Sequence, residues 1–162
     1  MKALVAYDTK YGNTEQVARL IAEGITSTGN NEVIVNNVKD INLKKEDSYD
    51  LILMGSPVHF GKHVGSVKKF INKLPKAKLK INSYAVFNTY QGEPIEEGQK
   101  EGVCYYEKMI VKMESQISEK MPNLTKASPA LCIKVKGMKG PITEEDLPKC
   151  KEFGIKLSQG SK

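Results

Sequence analysis

Apolar residues in this chain fall into short continuous runs, separated by longer stretches in which they recur every three or four positions. Residues 3–7 (A-L-V-A-Y) and 51–54 (L-I-L-M) are apolar throughout, and residues 84–87 (Y-A-V-F) nearly so. Runs of this length suit interior strands covered on both faces. Residues 32–38 (E-V-I-V-N-N-V) and 130–136 (A-L-C-I-K-V-K) admit polar positions, as edge strands do. Between them the period lengthens to that of helices. Residues 14–26 place Val17, Ala18, Ile21, Ala22 and Ile25 on one stripe, with Gly29 as a stop. Residues 64–74 do the same with Val67, Phe70, Ile71 and Leu74. Residues 101–120 carry Val103, Tyr106, Ile110, Met113 and Ile117, and Pro122 ends that helix. Thr143-Glu144-Glu145-Asp146 reads as a capping box before Leu147, Cys150, Phe153 and Leu157.

Strand and helix thus alternate from end to end, and the pattern predicts one α/β domain over residues 1–162. Two edge and three interior strands predict a doubly wound, five-stranded parallel sheet in the order 2-1-3-4-5, with helices on both faces. Its switch point, where ligands bind in such sheets, falls between strands one and three.

Composition narrows the class. With 162 residues and 40% hydrophobic content, the chain can bury one substantial core. No apolar run approaches the ~18 residues of a membrane span, and the N-terminus enters a strand without a signal peptide; the cytoplasm is expected. Cys104, Cys132 and Cys150 form no C-x-x-C pair, and His59 and His63 have no further ligands nearby in sequence, so no metal is expected. The net charge is +6, nearly all of it lysine, since Arg19 is the sole arginine. Lys68, Lys69, Lys73, Lys76, Lys78 and Lys80 gather on and after the second helix. Without arginine forks or interleaved aromatics they do not read as a nucleic-acid surface. Six lysines on a helix and its exit loop are more often a solvated face, and a docking surface for an acidic protein is the next reading.

The chemistry lies where strands end. Residues 5–14 (V-A-Y-D-T-K-Y-G-N-T) carry a buried strand into a hydroxyl-rich turn that opens the first helix. Such a turn aims free N–H groups and the positive end of a helix dipole at one point, which suits a phosphate. Thr9, Asn13 and Thr14 add side-chain donors, Gly12 permits close approach, and Lys10 is expected to face solvent. After the third strand, Gly55-Ser56-Pro57-Val58-His59-Phe60-Gly61-Lys62-His63 is expected to form an exposed turn fixed by Gly55, Pro57 and Gly61. Phe60 at its tip could stack on a planar ring. After the fourth strand comes Asn88-Thr89-Tyr90-Gln91-Gly92-Glu93-Pro94, with amides and a second aromatic.

Thr9-Lys10-Tyr11-Gly12-Asn13-Thr14 resembles the flavodoxin phosphate loop, Thr-x-Thr/Ser-Gly-x-Thr, departing only at Tyr11. Phe60-Gly61 looks like the aromatic–glycine pair that flavodoxins place against the isoalloxazine ring of FMN, with Lys62 where an acid often stands. Tyr90 is a looser match for the second ring-flanking aromatic. The resemblance implies FMN as cofactor, held by Thr9, Lys10, Tyr11, Gly12, Asn13, Thr14, Ser56, Pro57, Val58, His59, Phe60, Gly61, Asn88, Thr89, Tyr90 and Gly92. It implies electron transfer between redox proteins, with an acidic partner suggested by the lysines. The alternative is a small FMN-dependent oxidoreductase acting on a quinone or tetrapyrrole. Rivals on this topology lack their residues: no phosphoacceptor aspartate ends strand three, no G-x-G-x-x-G follows strand one, and Gly55 to Lys62 miss P-loop spacing.

Overall fold

The computed structural model describes residues 1–59, 61–91 and 105–160, with backbone alone at 105–107. Strand β1 (Lys2–Tyr7) leads into α1 (Asn13–Thr26) and β2 (Glu32–Asn37). Strand β3 (Asp47–His59) folds back on a two-residue β4 (Lys62–His63) before α2 (Gly65–Lys73). Then follow β5 (Leu79–Gln91), α3 (Tyr105–Lys120), β6 (Thr125–Lys126), β7 (Leu131–Val135) and α4 (Leu147–Gly160).

The sheet order is β2-β1-β3-β5, with β6 and β7 both pairing beyond β5. All these pairings are parallel; among the described strands β4 alone runs antiparallel, against β3. This is the doubly wound order expected, with β2 at one edge and a fifth position split between two short strands.

Alternation along the strands sorts the core into two layers. Ala3, Val5, Tyr7, Leu51, Leu53, Ala85 and Phe87 face α1 and α4. Leu4, Ala6, Ile52, Met54, Tyr84 and Val86 face α2 and α3. The first layer is locked by glycine: a Cβ on Gly24 of α1 would lie 2.1 Å from the Lys151 carbonyl oxygen of α4, and one on Gly154 would lie 2.1 Å from the Ile21 oxygen. Each helix backbone occupies the space a side chain would need on the other.

Three sequence expectations are corrected. The third strand continues through Gly55, Ser56, Pro57, Val58 and His59 in parallel register, Ser56 opposite Asn88 and Pro57 opposite Thr89. Those residues are therefore strand, not an exposed turn. Gly55 is required in that strand because the Phe87 ring sits where its Cβ would be, at 2.1 Å. Of the three turn-forming residues expected, Gly61 alone takes a turn conformation, with φ +70°. Asn88, Thr89, Tyr90 and Gln91 are likewise strand: all four pair with β7, and Asn88 and Thr89 also with β3, which extends β5 past its apolar run. Finally, Thr143 builds no capping box: its hydroxyl donates to the Asp146 carboxylate (2.7 Å) at a 3-10 turn preceding α4.

The lysine cluster also divides. Lys68, Lys69 and Lys73 stand exposed on α2. Lys80 is paired beside Ser48, at the amino end of β5. That end lies roughly 40 Å of extended strand from Gln91, at 3.3 Å per residue.

Candidate functional site

Strand β1 delivers Asp8 and Thr9 to the carboxyl edge of the sheet, where the turn is set by local hydrogen bonds. The Thr9 N–H donates to Asp8 Oδ1 (2.8 Å), and the Gly12 N–H donates to Thr9 Oγ1 (2.9 Å). Gly12 caps α1 in the left-handed region, φ +92°, with no atom within 4 Å of where a Cβ would stand. The first helical bond runs from the Gln16 N–H to the Gly12 carbonyl (3.0 Å). The N–H groups of Asn13, Thr14 and Glu15 lie ahead of it and have no partner among the described residues.

Asp8 braces this turn from behind. Its carboxylate accepts hydrogen bonds from Ser66 at the start of α2 and from Asn37 Nδ2 at the end of β2 (3.1 Å), with Lys39 Nζ 3.4 Å away. Burial alone would raise its pKa; the bonds from Ser66, Asn37 and the Thr9 N–H, with Lys39 beside it, hold it below the ordinary value.

A shallow cleft opens above the turn, with about 370 Å³ of space that includes open solvent. Thr9, Lys10, Tyr11, Asn13 and Thr14 form one wall, and Pro57, Val58 and His59 the second. Thr89, Tyr90 and Gln91 form the third. The fold therefore brings together ten of the residues expected at the site: Thr9, Lys10, Tyr11, Asn13, Thr14, Pro57, Val58, His59, Thr89 and Tyr90.

Others lie elsewhere. Ser56 is fully buried, donating to the Pro57 carbonyl (2.8 Å) and accepting from the Val64 N–H (3.0 Å), so it ties β3 to the start of α2. Asn88 is fully buried behind the cleft, its amide 3.5 Å from His63 Nε2. Gly12 and Gly61 supply turns. Phe60 and Gly92 lie outside the described residues.

A further wall comes from β7 and its exit loop, through Val135 and Met138. The loop packs on the phosphate-type turn: a Cβ on Gly140 would lie 2.4 Å from Asn13 Oδ1. Sequence reasoning missed this wall. The available signal was the Gly137–Gly140 turn holding an apolar Met138, at the carboxyl end of a strand that neighbours β5.

Polar groups in the cleft are specific. Thr14 and Thr89, 1% and 4% exposed, share a hydrogen bond between hydroxyls at 2.8 Å. The Tyr11 ring meets His59 edge-on, with centroids 6.1 Å apart, and Lys10 Nζ lies 5.6 Å from the Tyr11 centroid. Burial, and then the charge of Lys10, lower the His59 pKa, so the imidazole is neutral at pH 7. Its Nε2 is buried without a hydrogen-bond partner among the described residues. No carboxylate lines the cleft among the described residues, and none of those residues forms a metal-binding group. No helix of the described residues is long and apolar enough to cross a membrane.

Residues 4–138 match the family model described as a flavodoxin domain. A flavodoxin of Clostridium saccharobutylicum is 33% identical over 89 residues, 55% of this chain and 56% of that protein. A flavodoxin of Aquifex aeolicus is 38% identical over 73 residues, 44% of this chain and 38% of that protein. The matches to these curated relatives thus span about half of their length or less. A solved structure of an archaeal flavodoxin superposes with a TM-score of 0.74 at 25% identity, covering 99% of both chains. Flavodoxins bind FMN. An open left-handed glycine, three unpartnered helix N–H groups and a buried unpaired imidazole nitrogen fit a phosphorylated, hydrogen-bonding ligand of that kind. The chain belongs to the flavodoxin family.

Proposed function

We propose that this chain binds FMN in the cleft and carries electrons between redox proteins. The carrying observation is the turn from Thr9 to Thr14, where the first N–H groups of α1 are unpartnered among the described residues and follow a Gly12 whose Cβ position is open. Backbone donors at a helix N-terminus hold a phosphate without a charged clamp. Thr9 and Asn13 add side-chain donors to it, and Thr14 does so where Thr89 is the donor in the bond between their hydroxyls. Tyr90 borders the place of the ring, and His59, uncharged at neutral pH, offers Nε2 to a polar atom of the ligand. Bound FMN supplies the one- and two-electron chemistry; the chain supplies position, partial desolvation and charge.

The partner is acidic. Lys62 is exposed in the β3–β4 hairpin and Lys68, Lys69 and Lys73 on the helix that follows it, and none pairs with an acid among the described residues. Opposite charge on a partner would steer encounter there.

Titrating apoprotein into FMN should quench flavin fluorescence at micromolar concentration, with riboflavin binding more weakly. Absence of quenching overturns the cofactor assignment. Electron transfer with an acidic [2Fe–2S] ferredoxin should slow markedly between about 10 mM and several hundred mM salt, as the screening length contracts from ~30 Å to a few ångströms. It should also slow in Lys68→Glu/Lys69→Glu. A flat salt profile, with fast turnover of NAD(P)H and a quinone, would identify a small-molecule oxidoreductase instead.

A further inference from the structure

A second cleft, distinct from the first, lies between β4, α2 and α3 and contains about 550 Å³ of space open to solvent. Its floor is apolar: Val67 and Ile71 are fully buried, and Met109 and Met113 are 4% and 3% exposed. Its rim is cationic, with Lys62, Lys68 and Lys112 exposed around that floor. No acidic residue lines it among the described residues, and none of the three lysines forms an ion pair with those residues. Gln116 holds one end in place, donating to the Lys68 carbonyl and to Asn72 Oδ1, both at 3.0 Å. His63, 6% exposed, has its pKa pushed down to about 4 by burial and then by Lys68, so the lysines carry the charge at neutral pH.

An apolar floor inside a ring of cations selects a particular guest. A wholly apolar segment would strand the lysine charges, and a wholly acidic one would leave the floor wet. A large apolar side chain flanked by carboxylates satisfies both, in the arrangement of an interface hot spot with its polar rim. Flexible methionines adapt to such an anchor. The cleft also adjoins the cofactor site: His59 of the first cleft pairs with Lys62 of the second across the β3–β4 hairpin.

We infer that this groove is the docking site for the acidic redox partner, which seats a large apolar side chain, bracketed by carboxylates, between α2 and α3. The inference rests on the carrier reading above and specifies how the partner is recognised. Charge alone would allow any approach to the lysine face. The groove fixes one orientation, with the partner's anchor next to the hairpin that borders the cofactor.

The test uses the full chain carrying 13C-methyl methionine and two synthetic peptides. One peptide places four glutamates around a central leucine; the other has serine in place of that leucine. The leucine peptide should shift the methyl signals of Met109 and Met113 saturably, and the serine peptide should not. Lys112→Glu should weaken binding roughly tenfold, as loss of a matched charge and gain of a repulsive one predict. The remote pair Lys151→Glu/Lys156→Glu on α4 should leave binding unchanged; both residues are exposed there. Shifts confined to Met138, equal binding of both peptides, or no shift at millimolar leucine peptide would each overturn the groove. Salt-dependent transfer from ferredoxin, persisting with silent Met109 and Met113, would leave the carrier reading standing. Failure to bind FMN would remove the carrier reading without touching the peptide result.

Discussion

The hydroxyl pair at the head of α1 gives a test with a magnitude attached. Thr14 and Thr89 are almost completely buried and bonded to each other at 2.8 Å, joining the first turn of α1 to β5. Thr14→Val keeps the shape and removes one partner. The loss combines a neutral hydrogen bond, about 1 kcal/mol, with the desolvation of an orphaned Thr89 hydroxyl, for a total of about 1–3 kcal/mol. In a chain of this size that lowers Tm by roughly 2–4 °C per kcal/mol. Thr14→Val/Thr89→Val removes both polar groups and should recover much of the loss, giving a coupling energy on the order of 1–2 kcal/mol. Urea unfolding of the apoproteins, with unchanged m-values, measures it. The FMN affinity of the same variants then shows which hydroxyl donates. Thr14 has one proton: if it goes to Thr89, none remains for a phosphate, and Thr14→Val changes affinity little. If Thr89 is the donor, the Thr14 proton is available and affinity falls roughly tenfold or more. A Thr14→Val protein as stable as wild type, or a double variant as unstable as the sum of the singles, would refute the buried pair.

Gly24→Ala should destabilise by about 1–3 kcal/mol or more, because its Cβ meets the Lys151 backbone at 2.1 Å and α1 and α4 must part. Gly65→Ala, with nothing within 4 Å, should not; equal urea midpoints for the two would count against the helix contact. Asp8→Asn tests the brace behind the turn. Since folding lowers the Asp8 pKa, its ionised form stabilises fully above the unfolded value, about 4, and the contribution fades as pH falls through the lower folded value. The variant should be less stable than wild type at pH 7, and the gap should narrow by pH 3. A gap that stays constant between those pH values would show that the carboxylate charge contributes nothing.

Sequence pattern reached the strand order because burial on two faces leaves apolar runs, while burial on one leaves polar intrusions. It reached the Thr9 to Thr14 turn because hydroxyls and glycine at a strand-to-helix junction serve few other purposes. It could not reach the strand lengths. Ser56, Asn88 and Thr89 are polar, yet fully or almost fully buried, because their side chains bond across the sheet edge, and side-chain polarity cannot report backbone pairing. Nor could it show that Gly24 and Gly154 face each other, since the contact joins residues 130 positions apart. Met138 joined the cleft for the same reason: a loop's neighbours are set by strand order, not by its own sequence. Similarly, the lysines that look continuous from Lys68 to Lys80 are carried by a helix and then by the far end of a strand.

The two faces of the sheet are built for different work. On the α1/α4 face, reciprocal glycines bring backbone against backbone, and the Gly140 loop rests on Asn13. Every displacement of α1 would therefore have to move α4 or that loop as well. This stiffness falls on the helix whose N-terminus forms the phosphate-type turn, and preorganised donors bind a charged group with the least reorganisation. On the α2/α3 face the packing is by side chains, Val67, Phe70 and Ile71 against Ile110, Met113 and Ile117, and a groove remains between the helices. A groove floored by methionine can adjust to a guest without disturbing the opposite layer, because the sheet lies between them. The first cleft sits where the layers meet, at the carboxyl ends of β1, β3 and β5. With the cofactor held there as proposed, it would take its rigidity from one face and its access to a partner from the other.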